Sequence, residues 1–311
     1  MTHPATPGGT YLDDAALAPA EDVVDSHVHV WDAHRVDYSW LAEVPQLARR
    51  YDLGDVEVEH TAAGIRQAVL VQAADSIGDT ELMLATAAAN PSVAGVVAWV
   101  PIDDAAAADA CLTRWQASPI VGARHLVHRH PDPNLLTHPR VAEVLDLLAD
   151  RRLVFDVCAE SENLLRLVPV LAERHANLVL VVDHLAKPPI RQRGWEPCAS
   201  LLADAACAPN VMVKLSGLNT AAAPGDTSAA LQRYVDHALD VFGPDRMMYG
   251  GDWPFALLAA TSYTQIWSDL RGCLDQLDPP AVRAVLATTA RRVYGLPEPE
   301  DLRRSGGVRC P

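Results

Sequence analysis

The sequence predicts a single-domain α/β chain wound as a (β/α)8 barrel. Eight short apolar runs recur along it, at 23–31, 65–74, 93–102, 122–127, 153–159, 178–185, 211–218 and 247–253. Segments of helical period lie between most of them, and alternation of this kind builds a parallel sheet with helices outside. The length of 311 residues suits one such barrel, so dividing it by a typical domain size would overcount domains. A doubly wound open sheet is the alternative topology.

Most of the runs are continuously apolar rather than alternating, as expected for strands covered on both faces. Helical period is read at 80–89, 103–117, 141–151, 163–175, 198–206, 227–242 and 263–277. A last helix opens at Pro279 and Pro280 and stops at Gly295, with proline at the start and glycine at the end. Residues 1–21 carry no period and read as an extended leader, 22–297 as the barrel, and 298–311 as a tail. The stretch 32–64 is the main irregular insertion; its Tyr38, Trp40 and Tyr51 suit a lid or substrate wall over the carboxyl end of the first strand.

Forty acidic against twenty-five basic residues give a net charge of -15, the wrong sign for binding phosphate backbones or anionic lipid. Nucleic acid and membranes are therefore not expected as partners. The first residues lack the basic and apolar regions of a signal peptide, which points to a cytoplasmic protein. Six scattered cysteines without a CxxC pair suggest reduced thiols. A homo-oligomer stays open.

Several strands end in groups that an apolar core does not tolerate without a reason. His27 and His29 stand two apart at the end of the first run, so both face the same side, where they can hold a metal or donate to one carbonyl oxygen. A polar strand end bonded to neighbouring loops is the plain alternative. The sixth run ends in Asp183, His184 and then Lys187, the seventh in Lys214 and Ser216; these two lysines stand against 23 arginines. In the eighth, Gly250 and Gly251 precede Asp252, which in a closed barrel converges on His27 and His29; its plain alternative is a helix cap. Arg124 in the fourth strand suits a carboxylate or lactone oxygen, or else a salt bridge to a barrel acid such as Asp156. His128, Arg129 and His130 read as a solvated loop.

Together these motifs resemble the amidohydrolase superfamily, and within it the branch of sugar lactonases and 2-pyrone-4,6-dicarboxylate hydrolase. The words that carry the resemblance are VVDSHVHVWD, DYSWL, AVLVQAA, VAGVVAWV, GARHL, VVDHLAKPPI, VKLSGL and MYGGDWPF, in order from residue 23 to about 255. The resemblance implies a TIM-like barrel, sometimes distorted, that opens a cyclic ester. It implies His27, His29, His184 and Asp252 as the catalytic group and as ligands of one divalent ion, zinc first among them, although the branch includes enzymes that work without metal. The strand-four lysine or glutamate and strand-five histidine of binuclear members are missing here, so no bridged metal pair is expected; the missing histidine also argues against a decarboxylase.

The expected chemistry is attack of water on a lactone carbonyl, with Asp252 as base and the three imidazoles polarising the carbonyl directly or through the ion. Trp31, Tyr38, Trp40, Arg124, Lys214 and Trp253 are the expected substrate contacts. A neutral aldonolactone such as L-fucono- or L-rhamnono-lactone ranks ahead of a carboxylated lactone of the pyrone-dicarboxylate or muconolactone type. An aldonolactone isomerase and a non-catalytic sugar-acid binding barrel complete the alternatives.

Overall fold

The computed structural model describes residues 22–298; the expected leader and nearly all of the expected tail lie outside them. Eight parallel strands follow one another around a single sheet: β1 (Val23–Val28), β2 (Ile65–Val71), β3 (Val93–Ala98), β4 (Ile120–His125), β5 (Val154–Val157), β6 (Leu180–Val182), β7 (Val211–Leu215) and β8 (Met247–Tyr249). The ring closes just beyond β8, where Val28 bridges Trp253, the Trp253 carbonyl accepts from the His29 amide at 2.7 Å, and the His27 carbonyl accepts from the Asp252 amide at 2.8 Å. The open-sheet alternative is thereby excluded.

The helices are α1 (Glu57–Ala62), α2 (Ile77–Ala89), α3 (Ala105–Arg114), α4 (Pro139–Asp150), α5 (Glu162–Arg174), α6 (Cys198–Ala206), α7 (Leu218–Ala221), α8 (Ser228–Phe242), α9 (Tyr263–Gly272), α10 (Pro279–Arg283) and α11 (Thr289–Tyr294). Side-chain caps start several of them: Ser76, Asp104, Ser161, Ser262 and Asp278 each accept from an amide of the first turn. One wide π-turn (Ala284–Thr288) joins α10 to α11. The insertion at 32–64 is ordered by three 3-10 turns and α1, and Trp31 pairs with Tyr51 through both backbone bonds. None of the described helices is long and apolar enough to cross a membrane.

Two apolar layers form. The larger packs the outer faces of the strands under the helices; the smaller fills the barrel, where Val24, Val69, Val97, Val154, Val181, Met212 and Met248 meet Ala287, Ala290 and Tyr294 from the chain's last turns. Side chains alternate along each strand, so the residues two further on form the next layer up: Arg124 above Gly122, Asp156 above Val154, Asp183 above Val181, Lys214 above Met212. A register shift between Asp25 and Val28 moves His27 and His29 out of phase with Val24, which brings them onto the same inner face.

Every strand stops two to four residues before the end of the apolar run read for it. β6 stops at Val182 and β8 at Tyr249, rather than at 185 and 253. After β6, His184, Leu185, Ala186 and Lys187 all adopt left-handed backbone, with φ between +51° and +60°, and after β8 Asp252 does the same at +53°. None of these five residues is a glycine or asparagine, so the turns left no mark in the sequence.

Tyr294 rises through the barrel floor and donates to Asp156 Oδ1 and Oδ2, at 2.9 and 3.0 Å. Tyr294→Phe removes a donor from a buried carboxylate, and urea unfolding is expected to show a loss of about 1–3 kcal/mol. An unchanged midpoint would mean that the tyrosine holds the acid in no significant way.

Candidate active site

A cavity of about 660 Å³, counted to its open mouth, lies at the carboxyl end of the barrel. This is the end where βα-loops gather in barrels of this kind. Trp31, Trp40 and Phe255 form an aromatic wall, and His29, His184, Asp252 and Arg124 reach its floor. Trp40 is fixed by a hydrogen bond from its indole to the Ala73 carbonyl at 2.8 Å, Trp31 by one to Arg49 at 2.9 Å.

The floor is built from strand ends. Asp25, buried in the β1–β8 seam, accepts from the amides of His27 (3.0 Å) and Gly251 (2.8 Å) and from the Tyr263 hydroxyl (2.7 Å). Burial raises its carboxyl to about 6 despite those donors. The histidines and Asp252 then meet: His27 Nε2 lies 3.1 Å from His29 Nε2, and Asp252 Oδ1 lies 3.8, 3.5 and 3.9 Å from Nε2 of His27, His29 and His184.

These separations are close to the edges of a tetrahedron around a zinc-sized ion, about 3.3 Å for bonds of about 2.0 Å. The rest of each ring is anchored as a metal ligand requires: His29 Nδ1 donates to the Val71 carbonyl at 2.7 Å, and His184 Nδ1 is 2.8 Å from Ser216 Oγ. Asp252 Oδ2 is buried and has no hydrogen-bond partner among the described residues. His27, His29 and Asp252 have donor atoms close enough to share one divalent ion, and His184 stands beside the same carboxylate oxygen without joining that group. Two further groups are as close, His27 with Asp183 and His184, and His128 with Cys158 and Glu160.

The electrostatics separate the acid from the imidazoles. Burial opposes ionisation of Asp252, but His184, the contact with His29 at 3.5 Å and the more distant Lys187 and His27 outweigh it and hold the carboxyl well below its usual range. His184 is pushed down to about 4, by burial above all, and His27 falls well below the ordinary imidazole value through burial and the neighbouring Lys214. An ionised carboxylate thus faces the neutral rings of His27 and His184.

Beneath lies a charged layer. Arg124 donates to Asp183 Oδ2 at 2.8 Å and to the Gln72 carbonyl at 2.6 Å, while Lys214 pairs with Asp156 and stands 3.3 Å from Asp183. Of the acids considered for Arg124, it takes Asp183 rather than Asp156, because Lys214 and Tyr294 already occupy Asp156.

Of the residues expected to touch substrate, Trp31, Trp40 and Arg124 line the cavity, and three do not. Lys214 is fully buried under His27, since its strand position points it into the barrel interior below the floor. Tyr38 is buried behind the tryptophans and donates to Asp79 at 2.7 Å. Trp253 turns away to pack edge-on against Tyr51, because its backbone closes the barrel. The expected solvated loop is also corrected in part: His128 and Arg129 line the cavity, Arg129 pairing with Glu43 across its mouth, while His130 packs on His125. Asp183, Phe255 and Glu160 were passed over as site-forming residues. Asp183 alone left a signal, as a second acid at a strand end beside a histidine.

The family model described as amidohydrolase matches residues 24–296. The chain belongs to the amidohydrolase family. It is 31% identical over 293 residues to an L-fucono-1,5-lactonase of Burkholderia multivorans, covering 90% of this chain and 98% of the relative. A lactonase of the same name from Burkholderia ambifaria is 30% identical over 282 residues, covering 89% and 96%. Crystal structures of an amidohydrolase from Burkholderia multivorans, one with bound HEPES and one with bound zinc, superpose with a TM-score of 0.81 at 29% identity, over 88% of this chain and 99% of theirs.

Two outcomes follow from the geometry of this amidohydrolase. At Gly217, φ is +58° and a Cβ would stand 2.5 Å from Asp252 Oδ2 and 2.8 Å from His184 Nδ1. Gly217→Ala is expected to leave circular dichroism intact and to lower kcat by about 100-fold or more, since displacement by an ångström suffices for that; wild-type turnover would mean that the two side chains tolerate displacement. His184 binds its proton at about 4 when folded, against about 6.5 when unfolded, so the unfolded chain holds more protons between those values. Its contribution to stability is full above about 6.5 and is lost as pH falls toward about 4. The difference in urea midpoint between wild type and His184→Gln is therefore expected to shrink from pH 7 to pH 5, and a constant difference would contradict the shift.

Proposed function

We propose that the protein hydrolyses the ring of a small, uncharged sugar lactone of the L-fucono- or L-rhamnono-lactone kind. The observation that carries this reading is the meeting of one ionised carboxylate with three imidazoles at the floor of an aromatic-walled cavity. The identity with the two lactonases along nearly their whole length supports it.

Asp252 accepts a proton from water as the water oxygen bonds to the lactone carbonyl carbon. A carboxylate held so acidic is a weak base alone, so proton transfer accompanies C–O bond formation and depends on donors at the carbonyl oxygen. His184 supplies such a donor from the cavity floor, while His27 lies fully buried behind His29. His29 must keep its proton on Nδ1 for the Val71 carbonyl, which can only accept, and so its Nε2 is an acceptor beside Asp252. When the tetrahedral adduct collapses, the ring C–O bond breaks and Asp252 returns its proton to the departing oxygen, giving an open hydroxy acid. A divalent ion on His27, His29, His184 and Asp252, such as the zinc seen in the Burkholderia structure, would supply Lewis acidity at the same carbonyl.

The cations around the cavity favour an uncharged ring over a carboxylated one. Arg124 is committed to Asp183, Arg129 to Glu43, and Lys187 donates to Thr220 with Glu160 3.9 Å away. A dicarboxylate would have to compete with each of these acids.

A pH-indicator assay of neutral aldonolactones and carboxylated lactones, with and without chelator, tests the reading. Acid release from the neutral set is expected to dominate, and none from any lactone would overturn it. Asp252→Asn is expected to lower kcat by about 1,000-fold with KM nearly unchanged, since positioned acid–base groups contribute about 100- to 10,000-fold. Near wild-type turnover would remove Asp252 from the chemistry.

A further inference from the structure

We propose that Lys214 is a positioning residue that sets the tautomer of His27, with Asp183 as the alternative partner that takes over when an ion binds. Lys214 Nζ lies 3.1 Å from His27 Nδ1 and is wholly buried. An ammonium has donors and no lone pair, so His27 Nδ1 must accept, and the single proton of the neutral ring then sits on Nε2.

The rest of the contacts run in one direction. His29 Nδ1 donates to the Val71 carbonyl at 2.7 Å, which leaves His29 Nε2 as acceptor for the proton of His27 Nε2, 3.1 Å away. Lys214, His27, His29 and Val71 thereby form an unbroken donor-to-acceptor chain. The opposite tautomer sets two lone pairs against each other at 3.1 Å, a repulsion that a cation between them relieves. Two contacts oppose the chain, both at 3.3 Å, Arg124 Nη1 at His27 Nε2 and Asp183 Oδ1 at His27 Nδ1; they are longer than those of the chain, and the arginine nitrogen already donates to Asp183 Oδ2 at 2.8 Å.

Asp183 completes the device. Its Oδ1 stands 3.3 Å from both His27 Nδ1 and Lys214 Nζ, is buried, and has no hydrogen-bond partner among the described residues. Moving the proton of His27 from Nε2 to Nδ1 turns the ring's donor toward this oxygen and frees the Nε2 lone pair for an ion. The ring's charge does not change. Lys214 holds the ring in the form that cannot bind metal through Nε2, and ion binding must displace that hydrogen bond.

The test needs no substrate, so its failure is distinct from failure of the lactone reading. Long-range proton–nitrogen NMR on histidine-labelled, ion-free protein, with His27 assigned from the spectrum of His27→Gln, is expected to show the proton on Nε2 of His27 and on Nδ1 of His29. Titration with Zn²⁺ is expected to move the His27 proton to Nδ1. In Lys214→Met the ion-free protein is expected already to show Nδ1–H at His27 and to bind Zn²⁺ at least about tenfold more tightly. If the single variant does not fold, Lys214→Met combined with Asp156→Asn removes the pair without leaving a lone charge, and the same changes are expected. A His27 proton on Nδ1 in the ion-free wild type, a doubly protonated His29, or a folded lysine variant with wild-type tautomer and zinc affinity would overturn the proposal.

Discussion

The candidate site rests on the buried charged layer beneath it. Arg124, Asp156, Asp183 and Lys214 come from β4, β5, β7 and the first residue past β6, each two positions beyond an apolar or glycine position on its segment. Two cations and two carboxylates cancel in charge, with all four groups nearly or wholly inaccessible to water. Such an arrangement is costly to desolvate and is tolerable only when every charge is paired at short range. Here the pairs interlock across alternate strands, β4 to the end of β6 and β5 to β7, so no member moves without leaving another uncompensated. A rigid floor for three imidazoles follows from that constraint.

Neutrality of the layer also shapes the chemistry above it. A net positive floor would draw anions and leave Asp252 neutralised by default; a net negative one would raise its carboxyl and protonate the histidines. With the layer balanced, Asp252 takes its low proton affinity from His184 and its nearer neighbours, while burial keeps His184 and His27 uncharged. One anion facing neutral rings is the state that can take a proton from water and also accept a cation.

Most of the ring of strands was legible because parallel strands buried on both faces leave continuous apolar runs. His27, His29, His184 and Asp252 were legible for the converse reason: polar groups interrupting such runs at their carboxyl ends have no apolar rationale. The same logic misplaced Lys214, because strand parity says which way a side chain points but not how far below the mouth it sits. Tyr38 and Trp253 looked like substrate walls since aromatic residues near a mouth usually are, yet one is committed to Asp79 and the other closes the barrel through its backbone. The left-handed turn at 184–187 left no trace, since its residues are ordinary rather than glycine or asparagine.

That turn bears on why the site is stiff. Left-handed backbone at a non-glycine residue costs on the order of 1–3 kcal/mol, and His184, Leu185, Ala186, Lys187 and Asp252 all adopt it. Two of the five are the strand-end acid and imidazole that face each other. The strain is offset locally, by Ser216 on His184, Thr220 on Lys187 and full burial of Leu185. A chain selected for stability alone would place glycine or asparagine at such positions. Glycine instead stands at Gly217, between the two strained residues, where a methyl group would collide with both. Space for His184 and Asp252 to approach is thus secured at Gly217, and their direction by the strained turns, so the stability given up there and the convergence of the site have a single structural origin.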